Sequence, residues 1–138
     1  YVNSFIMNNI EKVDIQNPDS FSLPTLHDYR DEIEFGQELL NQVVKEYDSL
    51  KEHLVGRTPN WETDRIAKID HIVLITSIAE LIYFPSIPTK VSLNEYIEIA
   101  KEFSSPSSGK FVNGVIDNIV KDLTNKGLIV KKGRGLMS

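Results

Sequence analysis

The longest apolar run in the chain, residues 66–84, narrows the choice of fold more than any other stretch. Wound as a helix it is apolar on most of its circumference, and such a helix is normally central, covered by neighbours on several sides. Its β-branched residues (Ile66, Ile69, Ile72, Val73, Ile75, Thr76, Ile78 and Ile82) would also suit a buried strand. Strands, however, usually end after about 5–6 residues, and this run is far longer. Lys68, Asp70, His71 and Glu80 interrupt it, so it does not read as membrane-spanning. Pro85 and Pro88 then break the chain. A length of 138 residues is enough for one domain with a real core around this helix.

The other segments supply its neighbours. Val2, Phe5, Ile6, Ile10 and Val13 follow helical spacing from the first residue, so the chain reads as the remnant of a longer protein that starts inside a helix. Residues 14–28, with Pro18, Ser20, Ser22 and Pro24, read as a linker. Asp28 is a fitting N-cap, with Asp31 and Glu32 in the first turn. The following helix is expected over 29–54, on a stripe of Ile33, Gly36, Leu40, Val43, Tyr47, Leu50 and Leu54 widened by Leu39 and Val44. Gly56 and Pro59 end it, and Asn60 and Trp61 open the next. Ser92-Leu93-Asn94-Glu95 has the form of a capping box, and its helix would carry Leu93, Ile97, Ala100 and Phe103 inward. Residues 104–109 form a serine-rich loop in which Gly109 permits close approach to another surface.

Asn113-Gly114 taken alone is a hairpin turn. Its flanks argue for helix instead: Phe111, Val112, Val115, Ile116, Ile119, Val120 and Leu123 recur as one apolar stripe. Gly114 then sits inside a helix, where it costs about 1 kcal/mol against alanine. Close passage of a second helix would be a reason to keep it. Residues 126–138, with Lys131, Lys132 and Arg134 among glycines, read as a flexible basic tail. The expected fold is therefore all-α, a single bundle of about five helices spanning residues 29–125, after an N-terminal helix and linker at 1–28.

Catalytic signatures are missing. The chain has no Cys, which excludes disulfides and thiolate metal sites. His27, His53 and His71 lack the spacing of a zinc site, and no phosphate loop, nucleophile elbow or dinucleotide fingerprint is present. Glu95 and Glu98 lie one turn apart, but capping accounts for the first and an ion pair with Lys101 for the second. Asp70 and Glu80 most simply mark the one solvated edge of the central helix. Charge is unevenly spread. Residues 1–84 hold 7 Lys/Arg against 15 Asp/Glu, a net −8, and residues 85–138 hold 8 against 5, a net +3. The overall −5 argues against a stand-alone nucleic-acid binder. The two halves fit a protein that meets a basic protein on one face and RNA on another, or a chance asymmetry.

One pattern is more specific. Ile87-Pro88, Lys90-Val91, Asn94-Glu95, Glu98 and Ala100-Lys101, followed by Lys110-Phe111-Val112-Asn113-Gly114-Val115, resemble the C-terminal half of the NusB family. The resemblance extends back to about Phe35. Members are bacterial transcription antitermination factors that bind RNA. It implies an all-α NusB-like fold and a non-enzymatic, cytoplasmic role without cofactors or metal. The chain would hold a short single-stranded RNA signal jointly with the NusE ribosomal protein of the small subunit, in the transcription elongation complex. It leaves room for a homodimer and implies no membrane contact. NusB-like domains also occur in RNA methyltransferases, and a helical interaction module that binds no RNA is a further alternative.

The resemblance assigns roles as well. Phe111 fits the core by periodicity, whereas in the family the corresponding aromatic lies at the RNA surface, where it would stack on an unpaired base. Lys110 would touch phosphate, with Ser107 and Ser108 in the adjoining loop and Lys90 extending the basic edge. Asn113 either fixes helix packing or touches RNA. Asp70 aligns with a carboxylate that pairs with NusE, and this role expects it to face solvent. Two departures stand out: no arginine-rich first helix is present, and Ser107 stands where relatives can carry an acid.

Overall fold

A computed structural model describes residues 29–56, 67–105 and 107–137. The expectations for residues 1–28 and for Pro59, Asn60 and Trp61 lie outside them. Five α-helices follow in order: α1 (Tyr29–Lys45), α2 (Tyr47–Glu52), α3 (Lys68–Tyr83), α4 (Thr89–Phe103) and α5 (Ser108–Asn125), then a 3-10 turn at Gly133–Leu136. There is no strand among the described residues. The chain divides into two compact units, Tyr1–Ile33 and Glu34–Ser138. The described part of the first is the opening of α1, and the second holds everything discussed below.

As its composition demands, α3 is the centre. Val73, Leu74, Ile75, Ile78, Ala79 and Leu81 are all buried, on several sides of the helix, and α4, α5 and α2 pack against it. Its outer edge is Ile69 and Ile72, which are exposed, rather than Asp70 and Glu80. The latter two are 5% and 7% exposed, against the expectation of a solvated edge. Each is kept inside by a donor from a distant helix: Ser108 for Asp70 and Tyr96 for Glu80.

The expected helix 29–54 is broken at Glu46, whose φ −105°, ψ 15° leaves helical values. The backbone bonds from Glu46 to Gln42 and from Leu50 to Glu46 survive, so the axis is interrupted rather than ended. Leu50 and Leu54 are buried and Leu39 and Val43 pack against the core, but Leu40 and Val44 are exposed. The capping box does not form. Pro88, with φ −61° and ψ 137°, is the N-cap, and α4 starts at Thr89. Ser92 is thereby moved into the helix, where it is buried with Tyr96 and Ala100. That inward face is rotated by about half of the 100° between neighbouring helical residues, with Ala100 common to both, and Phe103 is 61% exposed.

The predicted stripe of α5 is borne out, with Val112, Val115, Ile116, Ile119 and Leu123 buried. Gly114 is not a crossing point, because a Cβ there would meet nothing within 4 Å. Overpacking by a larger side chain is thus removed as a concern. Gly114→Ala is expected to raise stability by about 0.5–1 kcal/mol through helix propensity alone, read as an upward shift of the thermal midpoint.

A backbone turn ends α5. Gly127 adopts φ +69°, and the Leu128 amide donates back to the Leu123 carbonyl at 2.9 Å. The tail, expected to be flexible, then has a defined seat on the turn between α3 and α4. Lys132 N–H donates to the Pro85 carbonyl at 2.9 Å, and Lys131 Nζ donates to the Phe84 carbonyl at 3.2 Å. Gly135 is buried so tightly that a Cβ would collide with the backbone of Pro85 and Ser86. No described helix is long and apolar enough to cross a membrane.

Candidate functional site

Two open pockets flank the start of α5. The first, about 460 Å³, is a groove between α4 and α5 lined by Asn94, Ile97, Glu98, Lys101, Gly109, Lys110 and Asn113. The second, about 400 Å³, lies on the other side and is lined by Ala67, Asp70, Ser104, Ser105, Ser107, Ser108 and Phe111. Helical geometry explains the division. Lys110 and Phe111 are consecutive, so they project about 100° apart and reach different pockets from one turn. The two helices can approach there because residue 109 is a glycine: a Cβ would stand 2.5 Å from Lys101 Cγ.

Hydroxyls fill the base of the second pocket. Ser108 is 3% exposed, and its Oγ donates to Asp70 Oδ2 at 2.9 Å. It accepts from the Ser105 amide at 3.2 Å and lies 2.7 Å from the Ser105 hydroxyl. Ser107, the N-cap of α5, is exposed and touches Ser105 through its hydroxyl at 3.0 Å. The loop is thus cross-linked to α3 through one buried serine. Asp70 is therefore an internal carboxylate rather than the solvent-facing one expected from the resemblance. Pairing directly with another protein would need it exposed.

Phe111 reconciles the two readings offered for it. It is half-buried and packs against the core, and it also lines the second pocket. Lys110 and Asn113 are exposed on the groove, so Asn113 is not a packing residue. Lys90 is exposed at the second position of α4, one turn before Asn94, and does not line the groove. Asn94, Lys101, Ser104 and Ser105 are among the lining residues that sequence reasoning passed over as site residues. Positions 94, 97, 98 and 101 share one helical face, and that periodicity could have found the first two.

The expected ion pair is present, with Lys101 Nζ 2.6 Å from Glu98 Oε1, both side chains exposed. Such a surface pair contributes little to stability. Elsewhere on α3, His71 Nε2 lies 3.0 Å from the Tyr47 hydroxyl, and burial, with the Lys51 charge added, holds the imidazole below its ordinary value. Among the described residues no three His, Asp or Glu gather to hold a metal ion.

The model of the NusB family matches residues 9–121 of the chain. The chain belongs to the NusB family. It is similar to the transcription antitermination protein NusB of Salinibacter ruber, 44% identical over 104 residues, which is 75% of this chain and 65% of that protein. It is 40% identical over 99 residues to the protein of the same description from Chloroherpeton thalassium, covering 72% of this chain and 47% of that one. A third, from Methylacidiphilum infernorum, is 39% identical over 90 residues, 65% of this chain and 63% of that protein. The chain thus spans less than two thirds of the length of the curated relatives it matches. Both pockets fall inside the NusB match, whereas the seated tail beyond residue 121 falls outside it.

Proposed function

We propose that this chain serves as an RNA-binding transcription antitermination factor. It acts without catalysis, in the cytoplasm, and holds a short single-stranded signal in nascent RNA together with the NusE ribosomal protein, so that the elongation complex passes terminators. Family membership and the printed name of the relatives support the antitermination role. The observation that carries the RNA reading is the first turn of α5, which presents a cation and an aromatic ring side by side. Lys110 is exposed on one pocket and Phe111 lines the other. An aromatic ring that lines a pocket suits stacking on an unpaired base, and the neighbouring ammonium suits a phosphate of the same strand. Ser107 and Asn113, both exposed, add hydrogen-bonding groups beside them, whereas Ser108, expected to join them, is buried and committed to Asp70. In this reading Asp70 acts from within, fixing Ser108 and hence the loop.

Fluorescence anisotropy with a labelled short single-stranded RNA tests this. Phe111→Ala is expected to lose about 1–3 kcal/mol of binding, the range for one stacked base. Phe111→Leu keeps apolar volume and the fold but loses the aromatic face, so it should lose RNA affinity too. Lys110→Ala should make the log–log salt slope shallower by about 0.7. Adding NusE should tighten the wild-type complex. Unchanged affinity in folded Phe111→Ala and Phe111→Leu proteins would overturn the assignment.

A further inference from the structure

The tail lies outside the family match, so its seat must be read from this chain alone. From residue 123 to residue 138 there is no Asp or Glu, and the segment carries Lys126, Lys131, Lys132 and Arg134. Residues 85–94, the turn and the first part of α4, also lack an acid and carry Lys90. Three contacts join the tail to the turn that begins at Phe84. The Lys132 amide bonds the Pro85 carbonyl, the Lys131 ammonium bonds the Phe84 carbonyl, and Gly135 lies against Pro85 and Ser86 with no room for a side chain.

Lys131 is half-buried and used internally, over Glu80 at the end of α3. Lys132 and Arg134, on either side of the glycine turn, are exposed on the surface of that seat. Lys90 is exposed where the same turn runs into α4. From Lys90 the helical face continues through Asn94 to Lys101 and the groove that holds Lys110, about 16 Å at 1.5 Å per residue. Like charges repel, so Lys132 and Arg134, exposed on a segment without acids of its own and with Glu80 buried beneath it, suit a polyanion.

We propose that the seated tail, through Lys132 and Arg134 on the turn that leads into α4 and Lys90, is a second phosphate-binding segment that continues the single-stranded RNA track beyond the α4–α5 groove. This rests on the RNA-binding reading of Lys110 and Phe111. The gain comes from pre-organisation as well as charge: cations fixed in place lose less freedom when the strand arrives than cations on a loose tail. Gly135 is therefore a positioning residue for the segment. It touches no RNA and determines where Lys132 and Arg134 stand.

The test uses the full chain and a fluorescein-labelled single-stranded RNA of mixed sequence, titrated over a range of salt concentrations. Lys132→Ala and Arg134→Ala are each expected to make the log–log slope shallower by about 0.7, and the double variant by about 1.4. Gly135→Val keeps every cation but cannot be seated, so it should weaken binding at fixed salt while circular dichroism shows the helices retained. Lys126→Ala is the control, because its ammonium is occupied by Asp122 at 2.9 Å, and it should leave the slope near the wild-type value. Unchanged slopes in Lys132→Ala and Arg134→Ala, with Phe111→Ala still defective, overturn the tail segment and leave the α5 site standing. Gly135→Val binding as tightly as wild type overturns the positioning role. Failure of the wild-type chain to bind single-stranded RNA overturns the parent reading and this one with it.

Discussion

Replacing Ile116 by alanine is expected to lower the free energy of unfolding by roughly 2–5 kcal/mol. Ile116 is 1% exposed and lies on the face of α5 that packs against α3 and α4. Truncation removes buried methylenes and leaves a hole whose walls are helices already held by their own backbone bonds, so relaxation can close only part of it. Since a domain of this size is stable by only about 5–15 kcal/mol, the change consumes a large share of the total. Urea unfolding followed by circular dichroism should show a lower midpoint with an unchanged slope, because the surface exposed on unfolding is nearly the same. Asn113, one turn earlier and exposed, provides the contrast: Asn113→Ala should move the midpoint little. A shift for Ile116→Ala below about 1 kcal/mol would mean that α5 moves in to fill the hole, and that the two pockets at its start are less firmly placed than the packing indicates.

The parts of the fold that were legible in the sequence are those fixed by local periodicity. The all-round apolar run announced α3 as the central helix, and the 111–123 stripe outweighed the turn signal of Asn113-Gly114. Most of the failures share a physical cause: they turn on a partner far away in sequence. Glu80 looked like a solvated edge because its donor, Tyr96, is on another helix. The same rotation of α4 that buries Tyr96 exposes Phe103. Hydrophobicity alone ranks Phe above Tyr for the inside, but a buried hydroxyl with a carboxylate to bond reverses that order. Ser92 and Glu95 fit a capping box in spacing, yet Pro88 had already started the helix one turn upstream. The tail's seat depends on one missing Cβ at Gly135 and on carbonyls of Phe84 and Pro85, which composition cannot reveal.

Of the candidate site, the adjacency of Lys110 and Phe111 was plain from the sequence, but the division of labour between them was not. Only the axis of α5, fixed by Val112, Val115 and Ile116 in the core, decides that one faces the α4 groove and the other the serine pocket. Asp70 shows the opposite case. The resemblance marked it as a site residue, and the burial of its side chain moves any role it has from direct contact to support of the loop through Ser108.

Tyr96→Phe is the second substitution with a large expected effect, about 1–3 kcal/mol of lost stability at neutral pH. The Tyr96 hydroxyl donates to Glu80 Oε2 at 2.8 Å, and both residues are buried. Phenylalanine fills nearly the same volume, so the loss comes from leaving that carboxylate oxygen inside without its donor. The bond also predicts a pH signature. Burial, then the negative charge and the hydrogen bond of Glu80, hold the Tyr96 phenol well above the ordinary tyrosine value. A group whose folded pKa is raised contributes stability that is full below its unfolded value, here about 10, and is lost as pH climbs beyond it. Wild-type protein should therefore lose stability above about pH 10, and Tyr96→Phe should lose less. Lys131, held below its ordinary value chiefly by burial, works with the opposite sign near that range, and Tyr83, raised by burial, with the same sign as Tyr96. Both remain in the variant, so the difference between the two pH curves isolates Tyr96. Urea midpoints measured from about pH 8 to 11 supply those curves. Equal midpoints at neutral pH and parallel curves above it would show that the hydroxyl–carboxylate bond contributes nothing to holding α4 against α3.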